Sequence, residues 1–198
     1  MQNLVIACLL AYILGSIPNG LFFGKLIWHV DLREHGSHNI GATNAWRTLG
    51  KGAGFLIFLL DFLKGFFSVG IGSLMVGTPL ALVLGGVFAI VGHSCSLFLK
   101  FKGGKGVATG LGVIVMLMPV PALIVFLVWL GIVKLSGYVS LGSIIAAALV
   151  PLLAWGMNYP GEYIGFGVLA ALFIIIRHQA NIGRLLSGTE SKIKAGHR

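Results

Sequence analysis

The chain has 198 residues, of which 57% are hydrophobic and only 10% charged, with a mean hydropathy of +0.98 and a formal net charge of +9. A soluble domain carries about 25% charged residues, so a water-soluble globule is excluded: too few polar segments exist to cover the apolar ones. An excess of Lys and Arg can point to nucleic acid, but here the basic residues sit in short stretches between apolar runs, not along one solvated stripe, so no nucleic-acid partner is expected.

In chain order, charge is missing from residues 3–24, 65–99, 106–133 and 135–161. Apolar runs of roughly 18 or more residues are membrane-span candidates, and in hydrocarbon the backbone satisfies itself as helix. Spans are predicted near 3–25, 54–76, 80–99, 104–118, 120–135, 138–157 and 162–178. Gly77-Thr78-Pro79, Pro119-Val120-Pro121, Ser136-Gly137 and Asn158-Tyr159-Pro160-Gly161 mark breaks between them. The first run lacks the basic start and small-residue cleavage site of a secretory signal and reads as a retained span. The 104–135 stretch is divided because two prolines so close together argue for a turn; each half is short, so the pair is either partly re-entrant or embedded in the bundle. The expectation is an all-α integral membrane protein of about seven transmembrane helices, one polytopic domain over 1–198. Cys8 lies inside the first run, far along the chain from Cys95, so no disulfide is implied. Gly106/Gly110 and Gly161/Gly165 have the small-xxx-small spacing of close helix contacts.

Charge asymmetry supports seven spans. With the N-terminus outside, Lys25, Arg33, Arg47, Lys51, Lys100, Lys102, Lys105, Lys134, Arg177, Arg184, Lys192, Lys194 and Arg198 fall on one face, thirteen of the fourteen basic residues. The positive-inside rule makes that face cytoplasmic. The loops 26–53 and 100–106 and the tail 179–198 then face the cytoplasm.

Three polar segments lie on that face. In His35-Gly36-Ser37-His38-Asn39-Ile40-Gly41-Ala42-Thr43-Asn44-Ala45-Trp46-Arg47, glycines alternate with small donors, and Thr43 or Asn44 can cap a helix carrying Arg47 one turn inside. Exposed amides feeding a helix start form an anion site; an ordinary capped loop is the plainer reading. Phe101-Lys102-Gly103-Gly104-Lys105-Gly106-Val107-Ala108-Thr109 has the physics of a phosphate loop, although it is no Walker A sequence and predicts no ATP site. A glycine-rich connector with an interfacial lysine is its plainer reading. In Arg177-His178-Gln179-Ala180-Asn181-Ile182-Gly183-Arg184, a continuing last helix would put His178, Asn181 and Arg184 on one face. A snorkelling basic flank explains Arg177 but not His178 and Asn181.

Asp61 and Lys64, three residues apart inside a span, are expected to pair; whether they are structural or shape the site stays open. His93, just before the glycine–lysine loop, is expected to hold that loop by hydrogen bonding. No metal set and no cofactor motif is present. No Ser/His/Asp or Cys/His set stands out, and the His-x4-Asp device of many acyl-CoA-dependent acyltransferases is missing: the residues five beyond His29, His35 and His93 are Glu34, Ile40 and Phe98. Anion binding without a nucleophile favours catalysis by positioning and charge stabilisation.

In their order, these segments resemble the bacterial acyl-phosphate:glycerol-3-phosphate acyltransferases, the PlsY family. The matching pieces are Gly15-Ser16-Ile17-Pro18, the 36–47 segment, Asp61-Phe62-Leu63-Lys64-Gly65, Gly92-His93, the 101–109 segment, and 178–190 ending in Gly188-Thr189-Glu190. His38 departs from the family, which more often has glycine there, and so bears on local backbone shape. The resemblance implies transfer of a fatty acyl group from acyl phosphate to the sn-1 hydroxyl of glycerol 3-phosphate, giving lysophosphatidic acid and phosphate, the first step of phospholipid synthesis. It implies a multi-pass protein of the bacterial inner membrane, in contact with membrane lipids and functionally linked to the enzyme supplying acyl phosphate. It also implies residue roles. Ser37, Asn39, Thr43 and the Gly103, Gly104, Lys105 and Gly106 backbone would cradle the acyl-phosphate group. Arg47, Lys105, His178 and Asn181 would hold glycerol 3-phosphate, with Asn44 and Arg184 in the same binding segments. Ser143 would contact the donor head; Ser37, Thr43, Ser143 and His178 would support catalysis, none as a nucleophile. The alternative from another class is a transporter of a phosphorylated anionic solute, to which glycine-broken helices and the Asp61/Lys64 charges would be suited.

Overall fold

A computed structural model describes residues 1–193; Lys194 and Arg198, counted above among the basic residues of one face, and the end of the 179–198 tail lie outside the described residues. Among the described residues all regular structure is helical: α1 (Gln2–Ser16), α2 (Asn19–Trp28), α3 (Ala42–Leu49), α4 (Lys51–Met75), α5 (Pro79–Ser94), α6 (Val107–Leu117), α7 (Pro119–Ser136), α8 (Val139–Gly156), α9 (Gly161–Arg177) and α10 (Gln179–Leu186), with a 3-10 turn at Leu97–Leu99. Five helical segments are long and apolar enough to cross a membrane, or six if the bent pair α9 and α10 counts as one. α6, with 11 residues, rises only about 16 Å and falls short of a full crossing.

The expected apolar helices form with shifted ends. The 3–25 run is two helices, since Ile17, preceding Pro18, is held extended (φ −58°, ψ 116°) and ends α1 at Ser16. Thr78 caps α5, its hydroxyl accepting from the Ala81 amide at 3.3 Å, with Pro79 in the first turn. The two prolines act as a helix start: α6 stops at Leu117, Met118 turns, and Pro119 opens α7. The helix expected to run through 178–184 does not continue straight. It ends at Arg177, and α10 leaves at 60°.

The chain divides into two compact units, Met1–Met116 and Leu117–Arg198, a boundary beside the proline turn. In the first unit α5 packs on α1 and α4, and α6 on α4. A Cβ on Gly65 would collide with the Thr109 carbonyl, and one on Gly112 with the Phe62 carbonyl, so backbones touch at the α4–α6 contact. Gly50, at φ 95°, alone separates α3 from α4 and turns the chain where other residues are strained. Leu32, Ala45 and Ile57 form a dry cluster under this corner. In the second unit α8 packs on α7 and α9, so close at Gly167 of α9 that a Cβ there would lie 3.1 Å from the Pro151 Cα of α8. The helix contact expected of Gly161 and Gly165 is not made: nothing lies within 4 Å of a Cβ at either. Outward side chains such as Leu74, Leu135 and Leu152 are exposed, as lipid-facing residues must be.

Candidate active site

The 31–41 loop is organised by one buried side chain. Asn44 Nδ2 reaches the carbonyls of Leu32 (3.0 Å), His35 (3.0 Å) and Asn39 (2.8 Å), while its Oδ1 accepts from the Ser37 amide at 2.9 Å. Its carboxamide thus ties together the loop that carries Ser37 and Asn39. The expected cap by Thr43 or Asn44 is corrected. The N-cap of α3 is Gly41, without a side-chain cap, and Asn39 Oδ1 accepts from the Gly41 amide at 2.9 Å just outside the helix. Ser37 is exposed, Asn39, Thr43 and Arg47 are half-buried, and Arg47 sits in the second turn of α3. His38 has φ 55°, the left-handed conformation that glycine adopts freely, and its Nδ1 lies 2.9 Å from the Arg33 carbonyl. At the loop's start Asp31 accepts from Arg33 (2.6 Å) and Lys25 (3.0 Å). The Arg33 guanidinium holds this carboxyl well below the usual carboxylate range, despite some desolvation.

The glycine–lysine strap turns back on the end of α5. Lys100 (φ 51°) and Phe101 (φ 63°) both take left-handed backbone, and the Phe101 amide donates to the Ser96 carbonyl at 2.9 Å. The Gly103 amide donates to the Ser94 carbonyl (2.9 Å) and the Gly104 amide to the His93 carbonyl (3.1 Å). These two amides are thus engaged by carbonyls of α5, and Lys105 and Gly106 (φ 83°) follow, leading into α6. A Cβ at Gly103 would strike the His93 carbonyl, and one at Gly104 the His93 ring, so glycine is required for the strap to lie this close. His93 does hold the strap, by its carbonyl.

The Asp61–Lys64 pair forms as expected, at 2.9 Å and with both side chains 4% exposed. Asn19 Nδ2 also donates to Asp61 Oδ1 at 3.0 Å, Lys64 Nζ donates to the Ile17 carbonyl at 2.9 Å, and His93 Nδ1 lies 3.7 Å from Asp61 Oδ1.

In the second unit, His178 sits at the bend between α9 and α10, 3% exposed, with Nδ1 2.8 Å from the Ile174 carbonyl. A carbonyl can only accept, so Nδ1 carries hydrogen and Nε2 is the ring's other polar position. Asn181 and Arg184 follow on α10, past the bend. Those two converge on Glu190, whose Oε1 accepts from Asn181 Nδ2 and Ser140 Oγ (both 2.7 Å) and whose Oε2 accepts from Arg184 Nε (2.7 Å). Burial alone would raise the Glu190 carboxyl, but these three donors outweigh it and lower it. Glu190 was legible only as the end of a motif: its partners lie at 140, 181 and 184, on two helices. Ser143, one turn along α8 from Ser140 and 3% exposed, donates to the Val139 carbonyl at 2.9 Å.

Fold and polar segments together define an all-α integral membrane protein with a glycine–lysine strap folded back on the end of α5. The profile of the family described as glycerol-3-phosphate acyltransferase matches residues 5–188. The glycerol-3-phosphate acyltransferase of Desulforamulus reducens is 48% identical over 184 residues, 92% of each chain, and that of Carboxydothermus hydrogenoformans is 46% identical over 96% of each. A crystal structure of PlsY (YgiH), an integral membrane glycerol 3-phosphate acyltransferase in its glycerol 3-phosphate form, superposes with a TM-score of 0.91 at 44% identity, covering 96% of this chain and 94% of that one. The form with lysophosphatidic acid gives 0.89 at 42% identity, with the same coverage. The chain belongs to the glycerol-3-phosphate acyltransferase family.

Proposed function

We propose that this acyltransferase moves a fatty acyl group from acyl phosphate to the sn-1 hydroxyl of glycerol 3-phosphate, at the cytoplasmic face of the bacterial inner membrane. In the first unit, Arg47 and Lys105 supply positive charge for the glycerol 3-phosphate anion, while Ser37, Asn39, Thr43 and the Lys105–Gly106 backbone receive the acyl-phosphate group. Asn44 fixes the loop for them. In the second unit, His178 and Asn181 hydrogen-bond the glycerol 3-phosphate, Arg184 adds charge, and Ser143 lies at the donor head. The hydroxyl oxygen attacks the acyl carbon, the bond from that carbon to the phosphate oxygen breaks, and phosphate leaves. The hydroxyl proton passes to a phosphate oxygen of the substrates, so no acyl-enzyme forms. Acyl phosphate is already activated, and the chemistry needs positioning and charge more than a nucleophile.

The observation that carries this reading is the strap, a glycine backbone pinned to the end of α5 that presents Lys105 at the start of a helix. The serine geometry agrees: the Ser143 hydroxyl donates to the Val139 carbonyl of its own helix. The transport alternative is not favoured, because Asp61 and Lys64 are satisfied by each other, by Asn19 and by the Ile17 carbonyl.

The test uses purified protein in lipid with labelled glycerol 3-phosphate, offering acyl phosphate, acyl-CoA and acyl-carrier protein separately. Labelled lysophosphatidic acid is expected from acyl phosphate alone, with Lys105→Ala lowering kcat/KM by about a hundredfold, the size of loss expected when one charge-stabilising donor is removed. Product from no donor in folded protein overturns the reading; covalent capture of a labelled acyl group on the chain overturns direct attack.

A further inference from the structure

The Asp61–Lys64 pair plays no part in the substrate contacts proposed above, yet it has more partners than neutralisation requires. Two opposite charges buried at 4% exposure can satisfy one another with a few hydrogen bonds. Here Asp61 Oδ1 also receives Asn19 Nδ2 at 3.0 Å and faces His93 Nδ1 at 3.7 Å. These two partners belong to the elements that carry the polar loops. Next to Asn19, Gly20 lies so close to the Ile40 carbonyl of the 31–41 loop that a Cβ would collide with it. On the other side, the His93 ring lies against Gly104, and the His93 carbonyl takes the Gly104 amide at 3.1 Å. A continuous line of contacts therefore runs from Ile40 through Gly20 and Asn19 to Asp61, and on through His93 to the strap. Lys64 anchors the same carboxylate to the Ile17 carbonyl, at the break between α1 and α2.

We infer that Asp61 and His93 are positioning residues that hold the 31–41 loop and the Lys105 strap at a fixed separation. A charge inside the apolar body is a rigid reference point, because moving either partner away from it strands a buried ion. The strap is pinned to His93 at backbone and ring, so a shift of the imidazole moves the residues just before Lys105. Errors of about 1 Å in a substrate-holding group can cost up to a hundredfold in rate. This inference rests on the reading of Lys105 as a glycerol 3-phosphate contact.

The experiment is a double-mutant cycle between His93→Ala and Gly104→Ala, with Asp61→Asn beside it. Steady-state kinetics are measured with saturating acyl phosphate and varied glycerol 3-phosphate. Monodispersity and thermal unfolding in detergent report the folded fraction. Each single variant is expected to raise KM for glycerol 3-phosphate about tenfold, with a smaller change in kcat; Asp61→Asn should act in the same direction. The double variant should show less than the product of the two effects, because the new Cβ at 104 occupies space the ring has left. Unchanged KM in folded His93→Ala, a fall in kcat alone, or multiplicative effects in the double variant each overturn the inference. Should His93→Ala fail to fold, the cycle is run with His93→Gln under the same criterion. Wild-type protein inactive with acyl phosphate would instead fail the substrate reading, a result visible before any variant is made.

Discussion

Glu190 ties three residues from two helices into one arrangement, and its charge is what does so. It accepts from Ser140, Asn181 and Arg184, each at 2.7 Å, and beside it the Ile193 amide donates to the Gly137 carbonyl at 2.8 Å, fastening the tail to the α7–α8 turn. A carboxyl held below its ordinary value of 4.5 contributes stability that is complete above that pH and is lost as pH falls through the lowered value. Protection factors for amide hydrogen exchange over 187–193, taken relative to the intrinsic rate at each pH, should therefore be high at pH 7 and fall as pH drops below the ordinary carboxylate range. Glu190→Gln should be weakly protected at both ends of that range, and wild-type protection factors that do not change with pH would show that the charge is not the fastener. Removing the acceptor that Ser140 and Asn181 share, in Glu190→Ala, should cost about 1–3 kcal/mol. His38 shows a different economy of side chain and backbone. It accepts a left-handed φ of 55° that costs about 1–2 kcal/mol for a residue with a Cβ, offset in part by its ring contact to the Arg33 carbonyl.

At the level of helices, glycine has opposite meanings in the two units. Gly112 has the Phe62 carbonyl carbon and the Phe66 nitrogen 2.9 Å from where its Cβ would sit, and backbone cannot step aside. Gly112→Ala should destabilise by about 1–3 kcal/mol. Gly165 faces open space within α9, so Gly165→Ala should stabilise by about 0.5–1 kcal/mol through helix propensity. Thermal unfolding of both in one detergent checks the pair, and equal shifts would mean that close backbone contact is not what Gly112 provides. The apolar runs and their Gly, Pro and Thr punctuation made the helices legible, because hydrocarbon demands long apolar segments and prolines stop them. The 60° bend at His178 was not legible, since neither Gly nor Pro marks it. Neither was the commitment of Asn44 and of the Gly103 and Gly104 amides: their partners are backbone carbonyls, which any sequence supplies. The Asp61–Lys64 pair was readable from its spacing, whereas Asn19 and His93 around it required the fold.

For the molecule as a whole, the proposed arrangement puts the N-terminus outside and both polar loops and the tail inside, with α6 counted as a short crossing. Single-cysteine variants in a Cys8→Ala/Cys95→Ser background test it. Ser37→Cys and Lys192→Cys should react with a membrane-impermeant maleimide only after permeabilisation, whereas Thr78→Cys, at the α4–α5 turn, should react in intact cells. Labelling of Ser37→Cys in intact cells would invert the topology and remove the cytoplasmic site.

The brevity of α6 bears on how the polypeptide tolerates the bilayer. Counted as a crossing, α6 falls roughly 14 Å short of a 30 Å hydrocarbon layer, which would place its end at Leu117 and Met118 within that layer. A turn at that depth is expensive for every amide hydrogen it leaves without an acceptor. Met118 is fully buried, and two of the next three residues are prolines, which have no amide hydrogen to strand. The Pro-Val-Pro sequence thus starts α7 with two fewer amide hydrogens to satisfy.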